Sequence, residues 1–243
     1  MPVVETLLTP ALFDLYSQQL EEKNIVIIDI LRATTTICVA FENGVNSMVP
    51  VGSPEEAQVL QSQGMIAAAE RNGETVAGFE LGNSPQEYTA DVVGGRNIAF
   101  TTTNGTRAMR LCSHAANVYI GSFLNIDALA KRLIEEGRDT ILFCAGWKDK
   151  VNLEDTLFAG ALADRIKHVF DAGGDAVMLA RDLYEYASQD MIGYLQKASH
   201  VQRFKTLHVE SDLDVCMQLN ISTKIPVFEN GVINLPLNES AHH

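Results

Sequence analysis

Asp29 and Arg32 stand three residues apart, directly after the apolar run Ile25-Val26-Ile27-Ile28, and three hydroxyls follow at Thr34, Thr35 and Thr36. A carboxylate at a strand end is a usual place for a Mg2+ ligand, because hard cations take oxygen donors. An arginine beside it can fork onto phosphate oxygens. The threonines can cap the helix that follows, whose free N–H groups favour an anion. Taken singly, Asp29 is as readily a turn or cap residue. Acid, base and caps in one loop are the parts of a metal–phosphate site.

Two further stretches repeat the pattern of a short apolar run entering a polar loop. Thr101-Thr102-Thr103-Asn104-Gly105-Thr106 offers hydroxyls, one amide and a glycine. Gly105 lets backbone approach a ligand closely, while Thr102, Thr103, Asn104 and Thr106 are neutral donors. No GK[ST] follows, so this is not a Walker loop; a threonine-rich turn with an Asn-Gly bend is the plain alternative. The third stretch runs from Cys144-Ala145-Gly146-Trp147 to Asn152-Leu153-Glu154-Asp155. Acids in a first helical turn are favoured by the helix dipole without any function; the functional reading is that one or both complete a metal site with Asp29. Trp147 reads as a packing or lid residue. A fourth segment joins Glu70-Arg71 to a glycine-punctuated turn over 78–85 that includes Asn83 and Ser84.

Other chemistries find no support. His114, His168, His200 and His208 have no metal-ligand spacing and are expected to pack or face solvent. There is no GxSxG elbow and no GxGxxG fingerprint. Cys38, Cys112, Cys144 and Cys216 form no CxxC pair and read as small, reduced, buried residues, with Cys144 set apart only by its place at a strand end.

The elements that must position these loops are legible in outline. The run at 25–28 suits a strand buried on both faces, and residues 98–100, 118–120, 140–143 and 176–179 read the same way with less force. Ser53-Pro54-Glu55-Glu56 has the cap, proline and acids of a helix start. Asn125-Ile126-Asp127 opens a helix that stops at Gly137, and an alanine-rich helix is expected over 153–170. This alternation predicts a three-layer α/β/α architecture. Strand carboxyl ends are where ligands bind in such sheets, and all three polar loops sit there. Residues 1–240 read as one unit, with a division into lobes about 1–125 and 126–240 left open. Ala241-His242-His243 is left out of the fold.

The chain has 243 residues, 47% apolar and 20% charged, with a formal net charge of −13. That composition suits a globular fold, and the negative field argues against nucleic acid and anionic membranes. No apolar stretch approaches the ~20 residues of a membrane span, and the first residues do not resemble a signal peptide. A cytoplasmic setting is the default expectation, and a homodimer the base-rate one. An acidic protein that binds an anion needs local positive charge from arginines, a helix N-terminus or a metal.

With these segments in view, the chain resembles the 2-phosphosulfolactate phosphatase family (ComB-like proteins). The resemblance rests on residues 26–35, on Gly78-Phe79-Glu80-Leu81-Gly82-Asn83-Ser84-Pro85, on residues 101–106, and on Cys144-Ala145-Gly146 with Glu154-Asp155 and Ala159-Gly160. They occur in the family's order; Glu80 stands where many relatives are expected to carry Asp. The resemblance implies Mg2+-dependent hydrolysis of 2-phospho-3-sulfolactate to 3-sulfolactate and phosphate, a step of coenzyme M biosynthesis.

On that reading Asp29, with Glu154 or Asp155, holds Mg2+. Arg32 neutralises the phosphoryl oxygens, and the loop at 101–106 donates hydrogen bonds. Thr34, Thr35, Asn83 and Ser84 join the substrate contacts, and Arg71 is the candidate for the sulfonate or carboxylate. Asp29 could instead be the nucleophile, although Leu31 occupies the place of the second acid in a DxD motif. The competing class is a non-catalytic binder of phosphorylated small metabolites.

Overall fold

The structure is a computed structural model that describes residues 1–71, 74–102, 104–207 and 210–236, with only the backbone of Arg71, Glu74 and Leu207. In chain order the elements are β1 (Val3–Leu7), β2 (Asn24–Ile28), α1 (Ala33–Glu42), β3 (Ser47–Val51), α2 (Pro54–Ser62), β4 (Ile66–Arg71), β5 (Glu74–Thr75), α3 (Ala90–Val93), β6 (Asn97–Thr101), α4 (Asn104–Leu111) and β7 (Asn117–Gly121). There follow α5 (Ile126–Glu136), β8 (Thr140–Cys144), α6 (Leu153–Ile166), β9 (Asp171–Ala172), α7 (Asp175–Ala187), α8 (Met191–Leu195), α9 (Ser199–Leu207), α10 (Ser211–Cys216), β10 (Val227–Glu229) and β11 (Val232–Asn234).

The strands make one sheet in the order β5-β4-β6-β3-β11-β10-β7-β2-β8-β1-β9. Central strand β2 is buried along its whole length, and its side chains alternate between two cores as the pleat requires. Val26 and Ile28 join Leu142, Phe123, Leu157 and Phe158 under α5, α6 and α7. Ile25 and Ile27 join Ile37, Phe41, Met48, Phe100 and Phe143 under α1 and α4. Each fully buried Ile, Leu or Phe contributes about 1.5–3 kcal/mol by leaving water, and both faces are covered. The architecture is therefore the three-layer α/β/α arrangement expected from the alternation of strands and helices.

Caps do what the sequence predicts. The Ser53 hydroxyl accepts from the Glu56 N–H at 3.3 Å to start α2, and Gly137 ends α5 at φ 57°. Two expectations need correction. Residues 176–179 are not a strand but lie in α7: Val177 and Ala180 are buried while Met178 and Leu179 are exposed, a helical rather than a two-residue period. The alanine-rich helix is shorter than expected, since α6 ends at Ile166 and Asp171–Ala172 pairs with the edge of β1. Close packing of α6 on α7 explains Gly160, where a Cβ would overlap the Ala180 carbonyl.

The sheet is mixed. Strands β4, β6 and β3 run parallel to one another, as do β7, β2, β8, β1 and β9. The β10–β11 hairpin, turned at Asn230-Gly231, joins the two groups by antiparallel pairing on both sides. Along this ladder the groups run in opposite senses, yet carboxyl ends from both groups line one cavity. Among the described residues, no helix is long and apolar enough to cross a membrane.

Candidate active site

That cavity holds about 400 Å³ and takes its walls from the carboxyl ends of β2, β3, β4, β6 and β8, with α9 closing one side. The loop after β2 is fixed by its own hydroxyls. The Asp29 N–H donates to Thr34 Oγ1 at 3.1 Å, and the Thr34 N–H returns to the Asp29 carbonyl at 2.9 Å. Thr35 Oγ1 donates to the Ile30 carbonyl at 3.0 Å and Thr36 Oγ1 to the Asn83 carbonyl at 2.9 Å. Thr34 and Thr35 are wholly buried; their hydroxyls shape the loop that carries Asp29.

The Asp29 side chain reaches the cavity wall with only 9% of the residue exposed. Its carboxyl is raised to about 6, chiefly by burial, with His200 and the Ala33 N–H opposing the rise and Glu154 and Glu70 adding to it. Gly105 makes room for it, since a Cβ there would stand 3.3 Å from Asp29 Oδ2 and 3.1 Å from Thr102 Oγ1. Thr102 and Asn104 line the cavity. Thr102 Oγ1 also accepts from the Thr106 N–H at 3.0 Å and contacts Thr106 Oγ1 at 3.2 Å, tying strand to helix. Thr103 lies outside the described residues, as does the side chain of Arg71.

The two acids at the start of α6 are both fully buried and differ in what they meet. Asp155 Oδ1 accepts from the Ile30 N–H at 2.9 Å; its Oδ2 accepts from the Gly146 N–H and from Asn152 Nδ2, each at 3.0 Å. It ties the loops after β2 and β8 together. Its carboxyl is nevertheless raised well above the usual range, by burial and then by the charges of Asp29 and Glu154, which outweigh the opposing bonds from Ile30 and Asn152. Glu154 Oε1 stands 2.8 Å from His200 Nδ1, while its Oε2 is buried without a hydrogen-bond partner. An unpartnered buried carboxylate oxygen is costly.

Arg32 also reaches the cavity, but its charge is already compensated. Nη1 donates to Asp212 Oδ2 at 2.5 Å, Nη2 pairs with Glu70, and the guanidinium lies 5.3 Å from the Phe204 ring centre. Asp212 is held in turn by Ser84 Oγ at 2.6 Å and Gln86 Nε2 at 2.8 Å. Ser84 thus acts on Asp212, while Asn83 lines the cavity with a buried, unpartnered Oδ1.

A sequence model of the 2-phosphosulpholactate phosphatase family matches residues 9–231. The chain belongs to that family. It is 40% identical over 229 residues to a protein of Symbiobacterium thermophilum, covering 90% of this chain and 97% of the relative. A protein of Caldanaerobacter subterraneus subsp. tengcongensis is 35% identical over 221 residues, with 89% and 92% covered. One of Clostridium acetobutylicum is 34% identical over 227 residues, with 90% and 95% covered. All three carry the name "Probable 2-phosphosulfolactate phosphatase".

For this family member the donor set can be tested against a Mg2+ ion. Among the described residues, no three His, Cys, Asp or Glu side chains form a ready coordination cage. Mg2+ needs none, because it keeps several waters and is held through one or two carboxylates plus substrate phosphates. Asp29 and the open Oε2 of Glu154 fit that requirement, and both are hard oxygen donors.

Five members of the site were not assigned to it from sequence. His200 was expected to pack or face solvent; it stacks on Trp147 at 6.0 Å between ring centres and meets Glu154. His200, Arg203 and Phe204 all line the cavity, and their i, i+3, i+4 spacing on α9 was the available signal. Asp212 carried no signal beyond an acid in a short helix. Glu70, noted with Arg71 in the fourth segment but given no role, contacts Arg32 through the end of β4.

Proposed function

We propose that this family member hydrolyses 2-phospho-3-sulfolactate, or a related small acidic phosphoester, to the hydroxy acid and phosphate, with Mg2+ held by Asp29 and Glu154. With the sulfonated substrate, the reaction would serve coenzyme M formation. The observation that carries the reading is the meeting of Asp29, Glu154 and Asp155, where burial and mutual repulsion raise the Asp29 and Asp155 carboxyls. Excess buried carboxylate is compensated most directly by a cation, and a cation there gives a phosphoryl group its partner. Bound there, Mg2+ supplies Lewis-acid neutralisation of the phosphoryl oxygens.

The chain's own residues do the rest. Asp155, with both oxygens engaged, positions the two loops. Thr102, Asn104 and the start of α4 offer donors to the phosphoryl oxygens. Trp147 and Phe204 narrow the access of water. Arg32 holds Glu70 and Asp212 at the wall, and Arg71 is offered as a further contact to the substrate's acid groups. Asp29 acts either as metal ligand or as nucleophile. Hydrolysis of an isotopically chiral phosphorothioate ester separates the two, because direct attack by water inverts the configuration at phosphorus and an aspartyl-phosphate intermediate retains it.

Phosphate release from 2-phosphosulfolactate and 2-phospholactate, with Mg2+ or with EDTA, tests the whole reading. Turnover that collapses in EDTA is expected. Tight binding of the phosphoester with no phosphate released in Mg2+ would make the chain a binder of phosphorylated metabolites instead.

A further inference from the structure

We propose that Lys148 and Arg203, both held over the indole of Trp147, form the recognition pair for the substrate's sulfonate. This rests on the phosphatase reading and adds to it the residues that select the substrate.

The chain carries a net charge of −13, and the cavity wall includes Asp29, Glu55 and Glu70. Binding a substrate with two acid groups besides its phosphoryl group therefore requires positive charge that is not already matched. Arg32 does not provide it, being paired with Asp212 and Glu70. The other arginine and the lysine on the wall are Arg203, from α9, and Lys148, from the loop after β8. Lys148 Nζ lies 4.8 Å from the Trp147 ring centre, and the Arg203 guanidinium carbon lies 5.5 Å from it. Among the described residues, neither forms an ion pair with a carboxylate.

Two cations without carboxylate partners beside one ring concentrate positive charge at this part of the wall, and attraction to the ring offsets it only in part. An anion between them is the missing partner. A sulfonate suits the position: it stays ionised at any working pH and has three oxygens in a tripod, so cations from two separate elements can each meet one. A carboxylate would more naturally take the bidentate fork of a single arginine. The pair is also coupled to the phosphoryl end of the cavity. Trp147 stacks on His200 with the ring planes 21° apart, and His200 meets Glu154 at 2.8 Å. One aromatic stack thus sets the distance between the sulfonate and the reacting phosphoester.

The test compares 2-phosphosulfolactate with 2-phospholactate, which lacks only the sulfonate, across Lys148→Met, Arg203→Met, the double variant and the charge-keeping Arg203→Lys. For the sulfonated ester KM is expected to rise about tenfold in each Met variant, equivalent to about 1.4 kcal/mol, and further in the double variant, with kcat within about threefold. Arg203→Lys recovers most of the loss, and kcat/KM for phospholactate changes less than about threefold. Binding gives a second readout: 3-sulfolactate should raise the thermal midpoint of the wild type but not of the double variant, while inorganic phosphate raises both. Equal losses on both esters, or no loss on either, overturn the assignment and leave the phosphatase reading standing. A wild type that hydrolyses neither ester, and gains no thermal protection from 3-sulfolactate, brings down both.

Discussion

Two hollows among the described residues invite comparison, and the bigger one is the less promising. The groove between the amino ends of β3, β6 and β7 and the β10–β11 hairpin holds about 870 Å³, against about 400 Å³ for the cavity at the strand carboxyl ends. In the groove, polar side chains are matched to one another. Asn117 donates to Asn24 at 2.9 Å, Asn24 to Glu136 at 2.8 Å, and the Tyr119 hydroxyl to Glu136 at 2.5 Å. Lys224 donates to the Phe41 and Glu42 carbonyls at the end of α1. The smaller cavity has the unpartnered Asn83 oxygen and the raised Asp29 carboxyl on its wall, and its lining residue His200 meets Glu154, whose second oxygen is buried without a partner. Unmet polarity marks a site better than volume does, because a structure that has matched its own groups has nothing left with which to bind a ligand.

The sharpest way to break this contrast is Asp29→Asn, which keeps shape and removes charge. Turnover should fall by about 10^3-fold, measured as phosphate release at saturating Mg2+. Retention of more than a tenth of wild-type kcat would remove Asp29 from the chemistry in either role. Next in size is Arg32→Met. It leaves Asp212, whose side chain is 2% exposed, without its counter-charge, and breaking a buried pair costs about 3–5 kcal/mol. Urea unfolding measures this; a loss below about 1 kcal/mol would mean that the pair is not the structural brace described above.

The raised carboxyls give the metal-free protein an unusual pH response. Asp29 is raised to about 6 in the folded state, above its unfolded value of about 3.9. The folded protein therefore binds this proton first, and the contribution of Asp29 to stability improves as pH falls from above 6 toward 4. Asp155 acts in the same direction. All other titrating groups are common to both proteins, so the informative quantity is the difference between wild type and Asp29→Asn in EDTA. The variant should be the more stable at pH 7.5, by about 3 kcal/mol, and the advantage should shrink to about a third of that by pH 4.5. An advantage that does not shrink with acidification would mean Asp29 is not held above its ordinary range.

What could be read from sequence follows the physics of locality. Strand β2, the Ser53 cap and the Gly137 stop are decided by neighbouring residues, and each appears where expected. Residues 176–179 misled because a four-residue apolar run has no period of its own; only the burial of Val177 and Ala180 beside exposed Met178 and Leu179 identifies a helix. The β10–β11 hairpin carried an Asn-Gly turn signal that went unused, and with it went the mixed character of the sheet. In the site, Asp29, Arg32, Glu154 and Asp155 were legible because each follows a strand or opens a helix. Their division of labour was not. That Asp155 has both oxygens engaged, that Glu154 has one open, and that Arg32 is matched by Asp212 depends on contacts between residues more than a hundred positions apart or on a helix, α9, whose histidine gives no motif.

The smallest effects are expected in the groove, and they are the control for everything above. Glu136→Leu leaves the buried Nδ2 of Asn24 without an acceptor, a loss of about 1–3 kcal/mol. Glu136→Gln should be nearly neutral. The new amide can accept from Asn24 through its oxygen and donate to Tyr119 through its nitrogen, because a tyrosine hydroxyl can accept as well as donate. Both variants should keep kcat/KM within about twofold of wild type. The stability order Gln above Leu, read from thermal unfolding, would show that the groove's polar groups serve the fold. A tenfold loss of turnover in Glu136→Gln would reverse the comparison and make the larger hollow part of the catalytic apparatus.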